Sequence, residues 1–215
     1  MSLRRYVRAI PFNYTTYGQY QLGVTTGIIP ATPLSSAEVF QFRWNPADTS
    51  LLACIREVEI SAAVTTTMFA AGVPVSIFMT KATAWTAVGT GGAGITPAAL
   101  HKMKTTMAST GLVANDARVM TTDATGLGAG TKTLEGNHIA HVVAGGPITG
   151  SLDGTFVKPG TKLFKADVAN GDHPLVLASQ EGFVIRAIAP ATGTWRMSIN
   201  VKWDETTSYP FGTSS

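Results

Sequence analysis

His138 and His141, three residues apart, are the chain's nearest approach to a metal-ligand pair. On a helix the two rings would share a face; on a strand they would point to opposite faces. No HExxH pattern surrounds them, so zinc-protease chemistry has no support, and an ordinary polar pair is the expected role. Glu57 and Glu59 stand two apart, which puts both carboxylates on one side of a strand. Paired carboxylates can do acid–base work on a glycosidic bond. The plainer reading is the solvent side of an amphipathic strand, equally placed to meet basic groups on a partner. Asp153, Asp167 and Asp172 lie in or near loops, where carboxylates can hold calcium, yet no EF-hand spacing joins them.

A nucleophile needs a base held beside it. No Gly-x-Ser-x-Gly elbow occurs, and Cys54 lies in an apolar run, where a free cysteine acts as a small buried hydrophobe. A Ser/His/Asp set assembled from distant residues stays open. Gly128-Ala-Gly130-Thr131-Lys132 lacks the adjacent Gly-Lys of a phosphate-binding loop, and Gly126, Gly128 and Gly130 lack dinucleotide spacing. These glycines are expected to permit turns. No catalytic, cofactor-binding or metal residue is therefore assigned, no cofactor is expected, and the chain reads as a non-enzyme.

The elements that would position these side chains are strands. Phe40, Phe42 and Trp44 alternate with Gln41 and Arg43, and Val58, Ile60, Ala62, Val64 and Met68 alternate with Glu57, Glu59, Ser61, Thr65 and Thr67. Such alternation sends one set to a core and the other toward water. Residues 73–80 are apolar on both faces, which predicts a strand buried between layers. The clearest pattern is Trp195, Met197, Ile199, Val201 and Trp203 against Arg196, Ser198, Asn200, Lys202 and Asp204. Upstream, Phe183, Val184, Ile185 and Ile188 form another strand, and Pro190-Ala-Thr-Gly193 is turn chemistry, so residues 181–204 predict a hairpin. The predicted core is Phe40, Phe42, Ile60, Val64, Phe183, Trp195, Ile199 and Trp203.

Residues 87–175 are richer in Gly and Thr. One short helix is predicted there, capped by Thr96, entered through Pro97, ended by Gly111, with Leu100, Met103 and Met107 on one face. The Gly-rich runs 89–94 and 126–130 read as loops. Many short strands and little helix predict an all-β fold, a β-sandwich or jelly roll. The expected organisation is an extended N-terminal arm over 1–35, a sandwich domain over 36–206 and a C-terminal tail over 207–215. Tyr6, Phe12, Tyr14, Tyr17 and Tyr20 in the arm are expected to lie on something, either their own domain or a neighbour.

Composition narrows the partners. Charged residues make up 13% of the 215, against about 25% in an ordinary soluble domain. A surface so poor in charge suits a protein covered by neighbours. The net charge is +3, with Arg4, Arg5 and Arg8 in the first eight residues and no acid before Glu38. Such an arm suits an acidic protein surface. The remaining 13 bases (16 less these three) balance 13 acids, so nucleic acid is not the expected partner. Cys54 is the only cysteine, which rules out an intrachain disulfide. Neither a secretory leader nor an apolar run of about 18 residues is found, so no membrane contact is expected, and folding is expected in a cytoplasm.

The stretch Asn170-Gly-Asp-His-Pro-Leu-Val-Leu-Ala-Ser-Gln-Glu-Gly-Phe-Val-Ile-Arg-Ala187, with Pro190-Ala-Thr-Gly-Thr-Trp-Arg196 and Val201-Lys-Trp-Asp-Glu205, resembles the C-terminal signature of a family of tailed-phage virion proteins. Phe69-Ala-Ala-Gly72 and Thr131-Lys-Thr-Leu-Glu135 resemble the same family. The resemblance covers about residues 50–205 and is strongest after 165. It implies a virion structural protein, and the best single expectation is a capsid decoration (cement) protein. The implied partner is the major capsid protein, with the chain itself a homo-oligomer, a trimer favoured over a dimer. Arg4, Arg5, Arg8, Tyr14, Tyr17 and Tyr20 are the expected partner contacts, with packing of the arm on its own domain as the alternative. The rival is a tail or fibre protein that binds a host receptor or glycan, with Tyr17, Tyr20 or Trp85 stacking on sugar.

Overall fold

In the computed structural model the described residues are 18–30, 38–69, 74–121, 127–145, 154–167, 172–190 and 192–208. In chain order their strands are β1 (Gly18–Thr25), β2 (Ile29–Pro30), β3 (Glu38–Trp44), β4 (Leu52–Val64), β5 (Pro74–Ala87), β6 (Ala93–Gly94), β7 (His101–Lys102), β8 (Ala117–Val119), β9 (Thr131–Leu134), β10 (Ala140–Gly145), β11 (Thr155–Lys165), β12 (Leu175–Leu177), β13 (Glu181–Ile188) and β14 (Thr194–Thr206). Sheet A runs β11-β4-β14-β1-β7, with β12 also on β4 and β2 also on β14. Sheet B runs β10-β5-β13-β3-β8-β6, with β9 also on β5. Every pairing among the described strands is antiparallel, and the two sheets share one core, so the expected all-β sandwich is the observed fold.

Alternation builds that core. From β14, Trp195, Met197, Ile199, Val201 and Trp203 point inward and are buried, while Arg196 and Ser198 face solvent. β3 and β13 answer from the other layer with Phe40, Phe42, Phe183 and Ile185. The Trp203 ring meets Phe42 edge-on across the layers at 5.4 Å and stacks on Tyr20 of its own sheet at 5.8 Å. Of the predicted core, Phe40, Phe42, Ile60, Phe183, Trp195, Ile199 and Trp203 are buried. Val64 is only half-buried, because it ends β4 at the rim of the sandwich.

Three expectations are corrected. Residues 181–204 are not a hairpin: β13 lies in sheet B between β5 and β3, and β14 lies in sheet A between β4 and β1. Alternation cannot separate the two cases, because strands of either layer show one apolar face to the same core. Gly193 turns the crossing at φ +107°, and a Cβ there would stand 2.6 Å from the Phe69 ring. The predicted helix after Thr96 shrinks to one 3-10 turn, Pro97–Ala99, and the Thr96 side chain makes no cap hydrogen bond. His101 and Lys102 pair instead with Gln21 and Tyr20.

Nor is the stretch 1–35 an arm throughout. Residues 18–25 form a full strand on β14, from Gly18↔Glu205 to Thr25↔Ser198. Tyr20, expected as a partner contact, is 1% exposed and donates its hydroxyl to the Ala108 carbonyl at 2.8 Å. Its period-two partner Leu22 is buried beside it, so the local pattern is that of a core strand. Arg4, Arg5, Arg8, Tyr14 and Tyr17 lie outside the described residues, as do residues 209–215 of the tail.

Candidate interaction surface

The residues singled out for chemistry are dispersed. Cys54 is buried, and burial pushes its thiol up to about 12, so it holds a core place. Trp85, offered as a sugar stacker, is fully buried, with its indole N–H on the Ala87 carbonyl and the Lys132 ammonium 4.7 Å from its ring. Asp153 and Gly126 lie outside the described residues. Asp167 and Asp172 meet each other, the Asp167 amide donating to Asp172 at 3.2 Å. Among the described residues no three His, Cys, Asp or Glu side chains gather closely enough to hold a metal.

The four buried carboxylates among the described residues each have partners inside the chain. Glu38 takes Lys132 at 2.9 Å and the Gln41 amide at 2.6 Å. Asp116 takes Arg43 at 2.5 Å, and Asp204 takes Arg56. Glu205 accepts from Thr110, from the Gly111 amide at 2.9 Å and from the Trp203 indole at 3.0 Å. Burial pushes all four carboxyls above their usual range, and their partners pull them only part of the way back. Perturbed carboxyls can mark an active site. Here they pin distant segments together.

The Glu38 cluster went unread in the sequence. The polar face of β3 was expected to meet water, but Gln41 is fully buried. Its amide donates to the Gly128 carbonyl at 2.8 Å and accepts from the Gly89 amide at 3.3 Å. The two Gly-rich runs thus close over the outer face of sheet B. A Cβ on Gly89 would stand 1.6 Å from the Gly128 carbonyl oxygen, so the approach needs glycine there. That closeness was the readable signal, hidden in runs that looked like ordinary loops.

The outward face of sheet A carries a ladder of paired polar side chains. Glu57 takes Lys202 at 2.6 Å and Lys162 at 3.0 Å. Glu59 takes Lys162 and the Asn200 amide, and Gln21 donates to Asn200 at 2.9 Å. The ladder crosses β11, β4, β14 and β1. Partial burial would raise Glu57, but the two lysines outweigh it and hold the carboxyl below its usual range. Glu57 and Glu59 are thus the polar side of an amphipathic strand, with their basic partners supplied by neighbouring strands.

The outward face of sheet B differs. Register places Val143, Ser76 and Ile188 in one row across β10, β5 and β13, and His141, Phe78 and Arg186 in the next. Val143 is 57% exposed and Ile188 42%. His138 and Arg186 both approach the Phe78 ring, at 4.2 Å and 5.3 Å. His138 also bonds Thr80 at 2.9 Å, so the His138/His141 pair frames an aromatic ring. The Arg186 Nε has no hydrogen-bond partner among the described residues.

No family model, curated protein or solved structure matches the chain.

Proposed function

We propose that this chain is a structural protein of a tailed-phage virion, a decoration (cement) protein that binds the outer surface of the major capsid protein shell and stabilises it. The observation that carries the reading is the contrast between the two outward faces. On sheet A a ladder of paired side chains, Glu57 and Glu59 with Lys162 and Lys202, covers the outward face, whereas sheet B exposes Val143 and Ile188 beside His141 and Arg186. Apolar side chains set beside the Arg186 guanidinium suit an acidic, partly apolar protein surface. The low charge content, the basic first eight residues and the resemblance of residues 165–205 to tailed-phage virion proteins support the same reading. The proposed location is the virion, in a homo-oligomeric form.

A tail or fibre protein that binds a receptor or glycan is the second reading, and one groove favours it. About 250 Å³ in volume, the groove lies on sheet A, where Gly23, Glu59, Ser61, Ser198 and Asn200 line it with hydroxyl, amide and carboxyl groups suited to sugar hydroxyls.

Counting copies per virion against the major capsid protein separates the two. A large icosahedral fraction is expected, with purified protein sedimenting on emptied shells and Ile188→Asp losing that binding while its melting curve stays wild-type. A handful of copies per particle removes the decoration reading and favours the tail or fibre.

A further inference from the structure

We infer that β10 is the edge through which a second copy of this chain pairs onto sheet B. β10 is held on one side by β5, and among the described residues no strand takes its other side. A free edge presents a row of unpaired N–H and C=O groups, and proteins blunt such edges with shortness, charge, proline or bulges. The ends of the two sheets elsewhere carry those devices. β6 and β7 have two residues each. β11 carries Lys158, Pro159, Gly160, Lys162 and Lys165, and it shifts register three times against β4. β10 has six residues with no Asp, Glu, Lys or Arg and no proline, in unbroken register with β5 from Ala140↔Met79 to Gly145↔Pro74.

Charge and symmetry name the occupant. An identical β10 laid antiparallel on this edge sits on a two-fold axis, the commonest symmetry of homo-oligomers. With no Asp, Glu, Lys or Arg in the strand, no register of that pairing sets two such charges against each other. Exposed Val143 gains neighbours on the outward face, and half-buried Val142 and Ala144 gain them on the inward face. The pairing extends the Val143–Ser76–Ile188 row across the axis, so the outward faces of the two copies become one surface. The product is a dimer, in place of the trimer expected from the sequence. It stands apart from the shell-binding reading.

Sedimentation velocity on the full chain tests it. A six-residue pair buries less than the ~1,200 Å² of a standard interface, so the series runs from about 1 to 200 µM. The expected result is a concentration-dependent monomer–dimer equilibrium, with amide exchange at residues 140–145 slowing as concentration rises. Val143→Lys is expected to weaken the dimer about tenfold or more, because the axis places the lysine in both copies. Val143→Thr should hold the dissociation constant within about threefold, since threonine keeps the β-branch, and Ile188→Asp, two strands in from the edge, should leave it unchanged. A chain monomeric throughout overturns the inference, as does a dimer indifferent to Val143→Lys. Concentration-independent protection of 140–145 that vanishes on deletion of residues 1–17 overturns it too, by making the chain's own N-terminal segment the occupant. The wild-type exchange series needs no variant to fold. A wild-type dimer that ignores shells removes the decoration reading and leaves this one standing. Shells bound by a wild-type monomer do the reverse.

Discussion

Trp203 donates its indole N–H to the carboxylate of Glu205, 3.0 Å away and two residues further along β14. Period two puts both side chains on one face of the strand, and that face is buried. The same carboxylate accepts from Thr110 and from the Gly111 amide, so one acid ties the 110–112 segment to the end of the sandwich. Glu205→Ala leaves these donors without an acceptor in a buried place. The expected loss is about 2–4 kcal/mol, from about 1–3 kcal/mol per orphaned buried donor. Guanidinium unfolding reads it, and a midpoint equal to wild type would mean that the carboxylate holds nothing.

Acid should favour this protein over a wide range. Glu38, Asp116, Asp204 and Glu205 have folded-state affinities for protons above their unfolded values. Each contributes stability that is fully present below the unfolded carboxyl pKa, about 4, and is lost as pH rises through the folded value. Glu57 works in the opposite sense, losing its contribution as pH falls below the ordinary carboxylate range. Four raised carboxyls against two lowered ones, Glu57 and the exposed Asp48 held by Ser50, put the stability maximum on the acid side of neutrality. Melting temperatures measured between pH 4.5 and pH 8, on the order of the carboxyl-to-neutral window, should fall with rising pH, and Glu205→Gln should flatten part of the slope. A steady rise over that interval would contradict the assignment.

Trp195 and Val64 face each other in register across β14 and β4 but differ in burial. Trp195 is fully enclosed, with Phe156 edge-on at 5.7 Å. Trp195→Ala is expected to cost about 3–5 kcal/mol. Its indole N–H has no hydrogen-bond partner among the described residues, so Trp195→Phe forfeits no bond there and should cost well under half as much. Val64→Ala, at the rim, should cost about 1 kcal/mol, in proportion to the smaller area removed. Equal midpoints for Trp195→Ala and wild type would place the core elsewhere.

The Cys54 thiol, buried and pushed up to about 12, should resist thiol reagents in the folded protein and react fully in denaturant. Rapid labelling under native conditions would show that β4 opens on the reaction timescale.

Period-two alternation was legible because it depends on the strand alone. Phe40, Phe42, Ile60, Ile199 and Trp203 could be assigned to a core without knowing what covered them. The same locality kept the candidate surface out of reach. Val143 and Ile188 look like ordinary core residues in sequence, and only the register through Ser76 brings them into one exposed row. Glu38, Gln41 and Lys132 likewise meet only because glycines 89 and 128 allow two loops to close over β3.

The sequence by itself determined the class of the fold, seven of the eight residues it assigned to the core, and the scarcity of charge. Local pattern and composition suffice for those, because side-chain alternation and burial preference are properties of each strand. Tertiary structure decided the rest: that β13 and β14 belong to different sheets, that Tyr20 is core, and that Glu57 and Glu59 are paired. It also showed that among the described residues no strand hydrogen-bonds to the outer side of β10, while β11 carries lysines, a proline and register shifts. Those outcomes depend on which strands become neighbours, a choice made by contacts between residues far apart in the chain that no local period records.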